Sequence, residues 1–210
     1  MDQGITQSLV KWPNVPHCFG WLALDRRGAW RMRDDYAQAH GLPGDVIKHA
    51  ALNAFISRNY ASDTDGRYFF QNGPQRVYVN LDATPWIVRM MPTGNGDYPW
   101  QFQTQCDSLL TPSAAFLDEA GHILIEGMLT QTICTGAAPN QFNEIERLSI
   151  ALLHDHDIEL FSGLTTLRNA ACALEGSWQW YGHDLKLEPI ASAEVARRFQ
   201  FQTQPQDSER

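Results

Sequence analysis

Four residues, Asp25-Arg26-Arg27-Gly28, interrupt the apolar stretch WLALDRRGAWRMR at residues 21–33. That interruption commits the chain to a hairpin, because glycine accepts the positive φ that a tight reversal needs and most residues avoid. The same grammar returns in AAFLDEAGHILIEG, where Asp118-Glu119-Ala120-Gly121 stands in the place of Asp25-Arg26-Arg27-Gly28. Antiparallel strands joined by short glycine turns are therefore the first expectation for this chain.

Each hairpin is followed by a stretch with helical spacing. In GDVIKHAALNAFISRNY the residues Val46, Ile47, Ala50, Ala54 and Phe55 fall on one face, with Asp45 available as a cap. In QFNEIERLSIALLHD the residues Phe142, Ile145, Leu148 and Leu152 make a similar stripe. Short strands are expected at RYFFQ, RVYVNLD, WIVRMM and WQFQTQ, and a further pair in GSWQWYGHDLKLEPI. SAEVARRFQF reads as a short terminal helix capped by Ser192.

The order hairpin then helix thus occurs twice, which predicts an α+β fold of two subdomains, each a small antiparallel sheet with a packed helix. The expected layout is an N-terminal extension over 1–16, a first subdomain over 17–91 and a linker over 92–99. A second subdomain with C-terminal strands and a short helix covers 100–204, and a fraying tail covers 205–210. On this reading residues 17–91 and 100–163 superpose.

The composition removes several function classes. Sixteen Lys and Arg against 24 Asp and Glu leave a formal charge of −8, so a phosphate backbone is repelled and nucleic acid is not an expected partner. No apolar run approaches the roughly 20 residues that span a bilayer, and the first residues lack a basic start and an apolar centre, so the expectation is a cytoplasmic protein with no membrane partner. Cys18, Cys106, Cys134 and Cys172 show no C-x-x-C spacing and are expected to be reduced and mostly buried.

The densest cluster of metal-ligating residues is His154-Asp155-His156-Asp157. If the preceding helix runs through it, residues two apart lie about 200° apart around the axis, and the histidines cannot share an ion. The expected role is electrostatic, at a helix C-terminus, with no metal and no cofactor. The segment SDTDG at 62–66 lacks the first and last carboxylates of a calcium loop and is expected to be a turn from helix to strand. No nucleophile elbow, P-loop or dinucleotide fingerprint is present in the sequence, so no catalytic residue is assigned.

A ligand site is expected instead where aromatic residues meet sparse polar ones. Tyr78 stands on the polar face of RVYVNLD, Arg89 interrupts WIVRMM, and Trp86 and Trp100 flank the proposed boundary. These four are the candidate ligand-binding residues, with Arg89 facing an anionic group and the indoles supplying apolar walls.

Gly28 with Trp30, then Asp65-Gly66-Arg67-Tyr68, then Asp82-Ala83 with Pro85-Trp86, and finally LFSG at 160–163, occur in an order that resembles the bacterial domain of unknown function 1285 family. The resemblance covers about residues 17–163. Gly73-Pro74-Gln75-Arg76 stands where that family carries a segment with a carboxylate, and Thr84 adds one residue before Pro85. The resemblance implies a two-part α+β fold with repeated motifs, no established activity and a role in ligand-linked signalling. The functional expectation is a non-catalytic protein that binds a small molecule, an anionic one in the Arg89 reading, or a protein partner. The alternative is a hydrolase or transferase whose His and Asp residues assemble only in three dimensions.

Overall fold

A computed structural model of the chain describes residues 15–97, 99–134, 142–170 and 173–207. The sequence readings on most of 1–16, on the end of the 205–210 tail and on Cys172 fall outside the described residues. The turn at Asp25 is built as the sequence implies. Its Oδ1 accepts the amides of Arg27 and Ala29, each at 2.9 Å, and Gly28 takes a φ of 77°. The same frame recurs at Asp63, which accepts the amides of Asp65 and Arg67, and at Asp118, which accepts those of Ala120 and His122. A fourth turn substitutes both key residues: Thr104 Oγ1 accepts the amides of Cys106 and Ser108, and Asp107 holds the left-handed position with φ 63°. In each case a tight turn ends in one left-handed residue, the geometry of a three-residue hairpin loop with a bulge.

In the first three turns the second carboxylate oxygen receives a basic side chain. Arg31 Nε lies 2.7 Å from Asp25, Arg67 Nε 2.8 Å from Asp63 and His122 Nδ1 2.8 Å from Asp118. The backbone frame is therefore closed on both sides of the aspartate.

The strands are β1 (Cys18–Leu24), β2 (Trp30–Met32), β3 (Asp45–Val46), β4 (Tyr60–Asp63), β5 (Tyr68–Asn72), β6 (Gln75–Leu81), β7 (Trp86–Pro92) and β8 (Trp100–Thr104). They continue with β9 (Leu109–Leu117), β10 (Ile123–Cys134), β11 (Phe142–Leu153), β12 (Thr165–Ala170), β13 (Ala173–Trp180) and β14 (His183–Pro189). The helices are α1 (Asp35–Ala39), α2 (Ala50–Arg58), α3 (Ile158–Gly163) and α4 (Ser192–Arg198), with a 3-10 turn at Asp155–Asp157.

This architecture overturns the expected fold class. Two small antiparallel sheets, each carrying a helix, are not what forms. The described strands are linked by hydrogen bonds in one mixed order, β12-β13-β14-β9-β8-β7-β11-β10-β4-β5-β6-β1-β2-β3. Four pairings in it are parallel: β1 with β6, β4 with β10, β7 with β11 and β9 with β14.

The second expected helix is the strand β11, so the hairpin-helix repeat is not present as the sequence suggests; the helix after the second hairpin is α3, and β14 lies parallel to β9 as β6 lies parallel to β1. Ile145 and Leu148, half of the supposed helical stripe, are exposed, while Ser149-Ile150-Ala151-Leu152-Leu153 is buried without interruption. A continuous apolar run reads alike in a buried helix and in a strand covered on both faces, and only its partners separate the two. The first helix does form, but from Ala50, capped by His49 through Leu52 N–H at 3.2 Å, while Asp45 belongs to β3. Ser192 does not cap α4 with its side chain; it hydrogen-bonds through both backbone N–H and hydroxyl to Glu119.

The chain divides into two compact units, each discontinuous in sequence. The first comprises Met1–Pro85, Gln131–Ile145 and Gln200–Arg210, and its core holds Phe69, Tyr78, Ala61 and Cys134 with Phe19 and Phe142 packed against them. The second comprises Trp86–Thr130 and Glu146–Phe199. In it the pairings run from β9 through β8, β7, β11 and β10 back to β9, so these five strands close a ring and protect one another's edges. Its aromatic core stacks Phe102 on Trp180 at 4.8 Å and sets Phe161 5.1 Å from Trp178. Among the described residues no helix is long and apolar enough to cross a membrane.

Candidate functional site

The first unit contains a break in an otherwise regular pairing. Along β1 and β6, Cys18 is opposite Val77 and Leu22 is opposite Val79, so four steps of β1 face two of β6. The extra residues Phe19, Gly20 and Trp21 bulge out of register, and Gly20 takes a φ of 82°. A Cβ at Gly20 would stand 2.5 Å from Gln38 Oε1, a side-chain end that can shift, so it is the positive φ that favours glycine here. Bulges of this kind end pairing and re-aim side chains.

Here the bulge borders a cleft of about 680 Å³, within the size range of small-molecule sites. Its walls include His17, Trp21, Arg33, Gln38, Asn80 and Gln206. Arg33 is fixed by bonds from Nε to Leu42 O at 3.0 Å and from Nη2 to Ala37 O, and Gln38 Nε2 donates to Arg33 O at 3.1 Å. The packed surroundings of His17, with Arg76 and Arg67 nearby, push its imidazole below the ordinary range, so at neutral pH it is uncharged and can both donate and accept.

Tyr78 lies one layer behind this cleft. It is fully buried, its ring stacks on Phe19 at 4.5 Å and meets His17 edge-on at 5.8 Å, and its hydroxyl donates to Asp63 Oδ2 at 3.2 Å. Burial pushes its phenol above the ordinary range, which keeps it a donor.

The other three residues named from the sequence belong to the second unit. Trp86 is buried opposite Ala151, and Trp100 is half-buried opposite Pro92. Side chains alternate along β7, so Arg89 stands on the opposite face from Trp86 and from the Pro92–Trp100 pair. The guanidinium grips Asp157 through Nε at 2.6 Å and Nη2 at 3.2 Å, and Asp157 also accepts Met90 N–H at 3.0 Å. Within the second unit Arg89 therefore does not share a face with Trp86 and Trp100, and the odd spacing from 86 to 89 was a sequence signal of it. Gly20 and Gln38 gave no signal, and Asn80, on the polar face of the same strand as Tyr78, was not assigned to a site, because the bulge depends on how β1 meets β6.

The segment His154-Asp155-His156-Asp157 follows a strand, not a helix, so the expected interaction with a helix C-terminus does not arise. His154 instead opens the 3-10 turn: its Nδ1 accepts His156 N–H at 3.1 Å and its carbonyl accepts Asp157 N–H at 3.0 Å. The two imidazole rings are 4.7 Å apart.

Residues 1–206 match the model of a family, DUF2944, described as a protein of unknown function (DUF2946), and the chain belongs to that family. No curated protein matches it. Similar solved structures include a DUF1285 family protein from Silicibacter pomeroyi DSS-3, at 14% identity and TM-score 0.46, covering 84% of this chain and 85% of the other. Another is a DUF1285 family protein from Shewanella baltica OS155, at 11% identity and TM-score 0.39, covering 68% of this chain and 91% of the other. DUF1285 is the family that the motifs between Gly28 and Gly163 resemble.

Proposed function

We propose that this protein binds a small, polar, hydrogen-bond-rich molecule in the cleft beside the β1 bulge. The observation that carries the reading is the bulge itself: a strand in the middle of a sheet gives up regular pairing, at a glycine held in the left-handed region, where a cleft of ligand size begins. The polar walls suit a ligand with several donors and acceptors, held by the Asn80 and Gln38 amides, the Arg33 guanidinium and uncharged His17, while Trp21 offers a flat apolar face. Binding in the native state stabilises it by about 2.7 kcal/mol at a ligand concentration of roughly 100 Kd. For a chain of this size that is a rise in Tm of roughly 5–10 °C.

A thermal-shift screen of metabolites and nucleotides is expected to yield such a compound. Asn80→Ala, which removes one amide from the wall, should abolish the shift, and Arg89→Ala should leave it intact. A shift lost in Arg89→Ala and kept in Asn80→Ala would move the site to β7, and a screen with no stabilising compound would defeat the reading.

A further inference from the structure

Where β11 ends, the chain enters a 3-10 turn instead of a helix, and this brings three consecutive ligating side chains to one side. We propose that His154, Asp155 and His156 form a binding site for one divalent late first-row transition-metal ion, zinc foremost. One ligand atom from each of the three lies within 4.8 Å of the others. Two atoms each about 2.1 Å from a shared ion stand at most about 4.2 Å apart, so closing the site takes only a small rotation of side chains. Asp155 and His156 are exposed and can make it. His154 is buried and fixed, since its N–H donates to Val88 O at 2.9 Å and its carbonyl accepts Asp157 N–H. One anchored ligand with two adaptable ones keeps the ordering cost of binding low.

The side chains of His154 and Asp155 already meet, with Asp155 Oδ1 2.8 Å from His154 Nδ1. Arg89 is itself held by the bidentate pair with Asp157, so the nearest positive charge already has its own carboxylate. Two imidazoles and one carboxylate favour zinc, nickel or copper over magnesium or calcium, and three protein ligands leave a coordination position for water. The site lies in the second unit and stands independently of the cleft in the first.

The test uses the tag-free full chain, stripped with a chelator and titrated with zinc chloride by calorimetry. One ion per chain is expected to bind, and cobalt in its place should give the visible absorption of a low-coordinate nitrogen and oxygen site. His156→Ala and Asp155→Asn, both at exposed positions, should each weaken zinc binding by at least about tenfold while the circular dichroism is unchanged. His122→Ala should bind as the wild type does. No saturable uptake by the wild type, or equal affinity in His156→Ala and Asp155→Asn, would overturn the proposal.

Discussion

The turns at Asp63 and Asp118 share one local frame and differ in what surrounds it. Both aspartates accept two turn amides on Oδ1 and a basic side chain four residues later on Oδ2. At Asp63 the second oxygen also takes the buried Tyr78 hydroxyl, and the Arg67 guanidinium lies 5.2 Å from the centre of the Tyr78 ring. Gly66 is pressed against the chain at Gln200, where an added Cβ would meet a carbonyl at 2.2 Å, and its own carbonyl accepts Gln202 N–H. Around Gly121 an added Cβ would meet nothing within 4 Å. Local hydrogen bonding makes the loop in both places, but its energetic weight is decided by residues distant in the chain.

The comparison breaks or holds on three measurements of stability by chemical denaturation. Asp63→Ala should have the largest effect, a loss of about 3–5 kcal/mol, because it removes two turn hydrogen bonds, the acceptor of the buried Tyr78 hydroxyl and the Nε partner of Arg67, which keeps its pair with Asp65. Asp118→Ala should cost only about 1–2 kcal/mol, the value of turn hydrogen bonds whose donors can reach water. Equal losses would show that the turn frame alone carries the energy.

Gly66→Ala comes next. Both glycines hold positive φ, so the backbone penalty of roughly 1–2 kcal/mol is common to Gly66→Ala and Gly121→Ala. The clash with the Gln200 carbonyl is added only at Gly66, and that variant should lose at least about 1 kcal/mol more. The smallest effect is expected at the fourth turn, where Asp107 holds the left-handed position with an exposed side chain. Asp107→Gly should stabilise by up to about 1 kcal/mol, less the loss of its 3.3 Å bond from Gln103. A destabilised Asp107→Gly would mean that the aspartate side chain, not the backbone angle, holds this turn.

The sequence made the hairpins legible through Asp25 with Gly28 and Asp118 with Gly121, and it marked β5, β6, β7 and β8 by their short apolar runs. It did not separate strand from helix over 142–153, where the spacing of Phe142, Ile145, Leu148 and Leu152 fits a helix and the burial of Ile150 to Leu153 fits a strand between two neighbours. The candidate site was legible only in part. Asn80 and Tyr78 were recognisable as polar-face residues of one strand, but Tyr78 is the layer behind the cleft, and Gly20 gave no signal until β1 was seen out of register with β6.

What this sequence determined by itself is the set of tight turns and the strands that flank them, because each turn is held by hydrogen bonds between residues two to four apart and needs no other part of the chain. The parallel pairings, the closed ring of β7 to β11, the bulge in β1 and the identity of β11 were decided only by the tertiary structure. A strand has no hydrogen bonds of its own to satisfy its backbone, so its existence, register and partners are settled by segments that lie far away in sequence.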